Sequence, residues 1–346
     1  MNESSNSILN LHPGLLVGFG VIVIIMLLLD LGVFNKKSHE ISSKEALGWT
    51  ISWISLAMLF SGAIYWLYNH DAGGHQIAVD KFAEFQAAYW VEKALSVDNL
   101  FVFILIFNYF KVSKKLQHKA LFWGIFGAIV FRAIFIFAGV GLINLSYIES
   151  SVGVFGNDEP FNVVLTIFGL FLAVAGIRTW GNHKNESQDF GNSFAVRLIK
   201  KMFKVSNEYD GDKFFTIKNG KKMATPLLLV LAVIEFSDLL FAVDSIPAIF
   251  AISKDPFILY TSNIFAILGL RSLYFLLANF INKFSKLPYG LSIILAFIGI
   301  KMLVSPWVHI QPIISLSIVV GVLLVSVIVS ILVPEAEPET EVPTNQ

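Results

Sequence analysis

Nine runs of this chain, 13–34, 46–69, 82–109, 120–145, 160–180, 224–252, 257–281, 288–307 and 311–333, are each apolar over roughly the length that crosses a bilayer as a helix. A hydrocarbon core of about 30 Å needs about 20 such residues, and lipid admits only helices or closed barrels because it leaves no water to satisfy the backbone. Nine long runs are more than the buried helices of a soluble domain supply. The expected fold is all-α: a polytopic membrane protein of about nine transmembrane helices, forming a single transmembrane domain over 1–346. Composition agrees, with 55% hydrophobic and 14% charged residues. Cysteine is absent, which excludes disulfides, thiolate metal sites and haem attachment. The residues ahead of the first run carry Glu3 and no Lys or Arg, so no cleavable signal peptide is expected and the first run should remain a span.

The loops between the runs are unequally charged. Lys36, Lys37 and Lys44 follow the first run, and Lys111, Lys114, Lys115 and Lys119 follow the third. Arg197, Lys200, Lys201, Lys204, Lys213, Lys218, Lys221 and Lys222 crowd the loop after the fifth, and Lys283 and Lys286 follow the seventh. Alternate loops hold only Lys254, with Lys81 at a boundary. Short loops rich in Lys and Arg stay in the cytoplasm. The expected protein is thus a multi-pass protein of the cell's inner (plasma) membrane, N-terminus outside, with the acidic, Pro-rich tail 334–346 cytoplasmic and disordered. Loop 181–223 is the one sizeable soluble piece. Within it Phe194–Val205 reads as a basic amphipathic helix suited to the inner leaflet. Phe214–Met223 reads as a hairpin turning at Asn219-Gly220.

Two acidic stretches interrupt the apolar runs. Glu92-Lys-Ala-Leu-Ser-Val-Asp98-Asn99 lies in the third and Asp238-Leu-Leu-Phe-Ala-Val-Asp244-Ser245 in the sixth. A carboxylate at membrane depth costs at least about 2.5 kcal/mol, so such residues mark function by default. The two stretches align acid for acid. The helices after them align too: Gly127–Phe135 with Ala266–Tyr274, matching Arg132 to Arg271, and Leu172–Arg178 with Leu295–Lys301. Spans three to five (about 82–180) therefore repeat as spans six to eight (about 224–307). A unit of three spans is odd, so the second copy enters the membrane from the opposite side. The loop charges independently require the same. An inverted three-plus-three helix repeat with a polar site between related helices is a plan of secondary transporters.

The candidate ligands are Asp98, Asp244, Glu92, Asp238, Asn99 and Ser245. They are hard oxygen donors, and all seven His fall in loops or near span ends. Mg²⁺, Ca²⁺ or Mn²⁺ suits such a set better than copper or zinc. Carboxylates also exchange protons, which makes metal/proton exchange available. Residues six apart on a straight helix lie about 120° apart in projection and about 9 Å along the axis, so Glu92 and Asp98 do not share a face. One common ion then implies local unwinding, and otherwise the acids are two positions. Pro247 offers a cause of unwinding in the second copy, because it clashes with the carbonyl of Val243. Arg132 and Arg271 either neutralise the acids as structural ion pairs or gate the path, and the roles are compatible. Glu235, three residues before Asp238 and on its face, is a pathway group or a buried protonated acid. Asp30 reads first as an interfacial acid and second as a ligand.

These residues resemble the TerC family of integral membrane proteins, within the LysE-like transporter superfamily. The strings that carry the resemblance are Leu29–Phe34, Glu92–Phe103, Ala224–Leu227, Glu235–Phe250, Asp255–Phe257 and Ser262–Arg271. The pattern is most similar to the Alx-type branch, and the resemblance implies manganese efflux. The family label of tellurium resistance describes a phenotype rather than a transported ion. Taken together, the expectation is a secondary transporter exporting divalent metal ions, foremost Mn²⁺, in possible exchange for protons. It should hold no permanent cofactor and have the ion and the bilayer as partners, without nucleic acid. The rival is a membrane scaffold of a metal or metalloid stress-resistance complex that acts through loop 181–223. No nucleophile–base set, phosphate loop or metalloprotease motif is present, so an enzyme is not expected.

Overall fold

A computed structural model describes residues 14–35, 42–71, 74–148, 161–181, 190–218, 220–278, 287–305, 307–308 and 310–333. The tail 334–346, Asn219 and much of the stretch 181–189 lie outside the described residues. The helices are α1 (Gly14–Asn35), α2 (Ser43–Asp71), α3 (His75–Tyr109), α4 (Lys114–Leu145), α5 (Val163–Gly181), α6 (Phe194–Met202), α7 (Pro226–Phe250), α8 (Pro256–Leu268), α9 (Leu270–Leu277), α10 (Leu287–Val304) and α11 (Pro312–Leu332). Among the described residues a helix occupies each of the nine apolar runs. Five helical segments are long and apolar enough to cross a membrane: Ser43–His70, Lys114–Leu145, Pro226–Phe250, Pro256–Leu277 and Pro312–Leu332. Shorter apolar helical stretches occupy Val17–Met26, Val163–Arg178 and Pro288–Val304. Helix α3 has the length, but Glu92, Lys93 and Asp98 interrupt its apolar character.

The fold departs from purely helical at two small hairpins. Strands β1 (Tyr147–Ile148) and β2 (Phe161–Asn162) pair antiparallel, as do β3 (Phe215–Lys218) and β4 (Lys221–Ala224). Gly220 supplies the second turn with φ of +70°, a conformation that an L side chain resists. Sequence chemistry sets several helix starts. Asp255 accepts from the Phe257 amide at 3.0 Å and is followed by Pro256, whose missing N–H costs nothing at the first position of α8. Ser193 caps α6 by accepting from the Val196 amide.

Helices α8 and α9 form the centre of the bundle. An 18-residue stretch of Pro256–Leu277 is 94% buried, whereas the corresponding stretches of the other four segments are between 22% and 41% buried. Around it pack α2, α3 and α4, with α7 against α3 and α4. The outer faces of α4 and α11 present Trp123, Phe126, Ile134, Leu324 and Ile331 outward. Such an apolar belt suits lipid, where it loses nothing by staying uncovered.

Helices α5 and α10 cross at glycine. A Cβ at Gly176 would lie 2.6 Å from the Ala296 nitrogen and 2.7 Å from the Ser292 oxygen. A Cβ at Gly299 would lie 2.7 Å from the Gly169 oxygen and against the Ala173 nitrogen. Only a residue without a side chain lets two backbones approach this closely.

Two departures concern the acid-bearing helices. Both α3 and α7 run without interruption past Asp98 and Asp244, so no unwinding accompanies either acid. Pro247 falls in the last turn of α7 and removes its own bond to the Val243 carbonyl, yet the helix continues through it to Phe250. The break lies instead in the run 257–281, at Gly269 between α8 and α9.

Candidate functional site

Glu92 sits midway along α3 and is fully buried. One turn on, Ser96 donates to Glu92 Oε1 at 3.1 Å. Arg132 on α4, also fully buried, reaches the same oxygen through Nη1. Glu92 Oε2 accepts from Asn263 Nδ2 of α8 at 3.0 Å. The second arm of the guanidinium, Nη2, donates to Asp238 Oδ1 of α7 at 3.4 Å. Nη1 also lies 3.3 Å from Asn263 Oδ1 and 3.5 Å from Ser245 Oγ. Four helices thus converge on one guanidinium, with two acids facing it. The planar fork of Arg suits this task, because its separate N–H groups bond several acceptors in fixed directions.

Of the residues singled out in the sequence, Glu92, Asp238, Ser245 and Arg132 come together here. Asn99 is buried on α3 two turns past Glu92. Arg271 is buried on α9. Glu235 packs its carboxylate on Gly127 of α4, where a Cβ would push it aside, and its Oε2 is buried without a hydrogen-bond partner. Asp98, Asp244 and Asp30 occupy helical positions on α3, α7 and α1, while their side chains lie outside the described residues. Among the described residues no three His, Asp or Glu side chains form a group able to hold a metal ion.

Three charged or polar residues join the picture without having been singled out. Lys93 is buried beside Glu92, and its Nζ donates to the Ala266 carbonyl at 3.1 Å. That carbonyl belongs to the last turn of α8, ahead of the break at Gly269, so the ammonium meets the negative end of a helix. Asn263 belongs to the cluster itself. At the other end of α3, Glu84 accepts from Lys81 at 2.9 Å and from Ser253 Oγ at 2.6 Å. There Tyr68 donates to Asp255 Oδ2 at 2.6 Å. Glu84 and Lys93 carried the same signal as Glu92, a charge inside an apolar run. Asn263 carried a weaker one, an amide in the run 257–281.

Beyond Asp238 lies a cavity of about 10 Å³ lined by Leu100, Phe103, Gly124, Ala128 and Ile234. That space is about one water across.

Residues 77–337 match the family described as "Integral membrane protein TerC family". The chain is 43% identical over 316 residues to "Uncharacterized membrane protein STKORF319" of Myxococcus xanthus, covering 91% of each. It is 43% identical over 317 residues to "Putative membrane-bound redox modulator Alx" of Escherichia coli (strain K12), covering 91% of this chain and 94% of that protein. An "Uncharacterized membrane protein" of Rickettsia bellii is 41% identical over 310 residues, covering 89% and 94%. No solved structure matches the chain.

Proposed function

The chain belongs to the TerC family of integral membrane proteins, and we propose that within it this protein is a secondary transporter exporting divalent metal ions, foremost Mn²⁺, in exchange for protons. The observation that carries this is the buried cluster of Glu92, Arg132, Asp238 and Asn263, drawn from four different helices. Acids buried at this depth without a transport role would be a standing cost. The crossing of α5 and α10 supports the inverted repeat. Under the alignment that pairs Gly176 with Gly299, Ser292 pairs with Gly169 and Ala296 with Ala173, so each contact is the mirror of the other. A reciprocal contact of this kind is what a two-fold axis generates.

In this mechanism the two three-helix units point in opposite directions through the membrane, with the cytoplasm on the side of the basic loops. Asp98 and Asp244 each lie six residues beyond the acid that meets Arg132. On antiparallel helices they stand about 9 Å to either side of the cluster. Each is the principal oxygen ligand of its half, assisted by Asn99 and Ser245. The Arg132 guanidinium blocks a cation between them until one unit rocks against the other and the acids exchange partners. Protons returning to Glu92 and Asp238 reset the cycle.

Asp98→Asn and Asp244→Asn test the mechanism. Each should abolish Mn²⁺ efflux from loaded cells while the protein remains in the membrane at wild-type amount. Unchanged efflux in both would remove these acids from the path. Purified protein in vesicles, given Mn²⁺, Ca²⁺ and Mg²⁺ in competition under an imposed pH gradient, identifies the ion and its coupling.

The rival is a scaffold of a metal-stress complex, for which tellurium resistance would be the phenotype. One observation favours it: residues 190–218 and 220–224 are folded and docked on the bundle. Tyr209 donates to the Phe110 carbonyl at 2.8 Å, and Lys119 pairs with Asp212 at 3.1 Å. If the protein is a scaffold, exchanging this segment abolishes resistance and neutralising the acids does not.

A further inference from the structure

At the start of α7 the loop segment builds a wide, open groove of about 620 Å³. The volume falls within the range of small-molecule sites. Lys200, Lys204 and Asn207 are exposed at its rim, while Phe203, Met223 and Leu229 are partly or fully buried in its floor. The frame is fixed by backbone pairing. Ser206 N donates to the Ala224 carbonyl and Ala224 N donates to the Lys204 carbonyl, each at 2.8 Å. Among the described residues neither Lys200 nor Lys204 is in an ion pair. Next to the cavity α6 leaves Phe194, Leu198 and Met202 exposed, one turn apart on one face. Phe194 rests on Phe236 of α7 with ring centroids 5.4 Å apart.

We propose that this cavity is a binding site for one anionic phospholipid of the surrounding membrane, its phosphate between Lys200 and Lys204 and its acyl chains over Phe203, Met223 and Leu229. Charge and polarity run in the order such a lipid requires: two unpaired ammonium groups and an amide outward, apolar side chains inward, and a wall that begins at the membrane surface. A soluble anion would use the lysines and leave the apolar floor in water. A neutral lipid would leave both ammonium groups uncompensated. The proposal stands apart from metal transport, since it needs neither the ion nor the acids.

The full chain in detergent, titrated with phosphatidylglycerol and analysed by native mass spectrometry, tests it. Wild type should retain one phosphatidylglycerol more tightly than the rest and should not retain phosphatidylcholine in its place. A basic residue at a lipid surface contributes about 1 kcal/mol, so Lys200→Gln with Lys204→Gln should weaken that first binding about thirty-fold. Lys221→Gln with Lys222→Gln, which removes equal charge from exposed positions of β4, should leave it within about two-fold. Equal losses from both pairs, or none from either, would overturn the site. Glycerol 1-phosphate should fail to displace the lipid. Displacement at comparable concentration would show that the cavity takes a phosphate from solution and would overturn the lipid assignment. All four substitutions are at exposed positions, so folding is not at stake.

Discussion

Gly176 of α5 and Gly299 of α10 occupy equivalent points of one helix crossing, each touching the backbone of the other's helix with no room for a methyl group. The contact joins the third helices of the two proposed repeat units, so rocking of one unit against the other must pivot about this crossing.

Gly176→Ala and Gly299→Ala should each destabilise the folded protein by about 1–3 kcal/mol, because backbone atoms cannot move aside as a side chain can. The double variant should cost less than the sum, since the first substitution already separates the helices. Thermal aggregation of a fluorescent fusion in detergent reads the effect. Wild-type thermal stability in either single variant would contradict the close approach.

Arg132 holds two acids, so its removal should hurt more than the removal of either. Arg132→Gln leaves Glu92 and Asp238 buried without their cation, a loss on the order of 3–5 kcal/mol. Adding Glu92→Gln and Asp238→Asn should restore most of the folded yield and leave metal efflux absent. Restored efflux in that triple variant would reduce the cluster to scaffolding.

Lys93 braces the break at Gly269 through the Ala266 carbonyl. Lys93→Met should cost about 1.5–3 kcal/mol, the range for a hydrogen bond to a charged donor. Gly269→Ala should perturb the same place, because its Cβ would come within 2.9 Å of the ammonium. Hydrogen exchange should rise in 263–273 in both variants. Exchange unchanged there would place the brace elsewhere.

The loop segment carries its own pH dependence. Hydrogen bonds from Thr216 and then Lys213 hold the Asp210 carboxyl below its ordinary value, and Lys218 and Lys119 do the same for Glu208 and Asp212. A carboxylate with a depressed pKa stabilises the fold above its unfolded value and loses that contribution as pH falls through the folded one. Exchange protection of β3 and β4 should therefore be level from pH 8 to about 5 and should decline below about 4, the ordinary range of these acids. Asp210→Asn should flatten the decline in part. A loss of protection that sets in near neutrality would point to other groups.

Much of this was legible in the chain because lipid makes charge conspicuous. Glu92, Asp238 and Arg132 were singled out by insertion cost and internal alignment, and they meet in one cluster. The helix over Phe194–Met202 and the Gly220 turn followed from local patterns of short range. Asn263 escaped because an amide costs less than a charge and breaks no periodicity. The break at Gly269 escaped because glycine is common in apolar helices, and its cause lies in Lys93, 176 residues away. The expected unwinding at Pro247 failed because the proline removes one bond of the ladder, that from position 247 back to Val243, and the helix carries through it to Phe250.

The enclosure of α8 and α9 bears on how the chain is made. This segment has a mean hydropathy of 1.3, below the 2.2 of Pro226–Phe250 and the 2.8 of Pro312–Leu332, and it carries Asn263 and Arg271. By itself it partitions weakly out of the translocon, since a central Arg opposes insertion. Segments synthesised earlier, α3 and α4 among them, must be waiting to receive it. Biogenesis of this protein is therefore cooperative at its middle, and a lesion in an early helix should surface as a failure to integrate a later one.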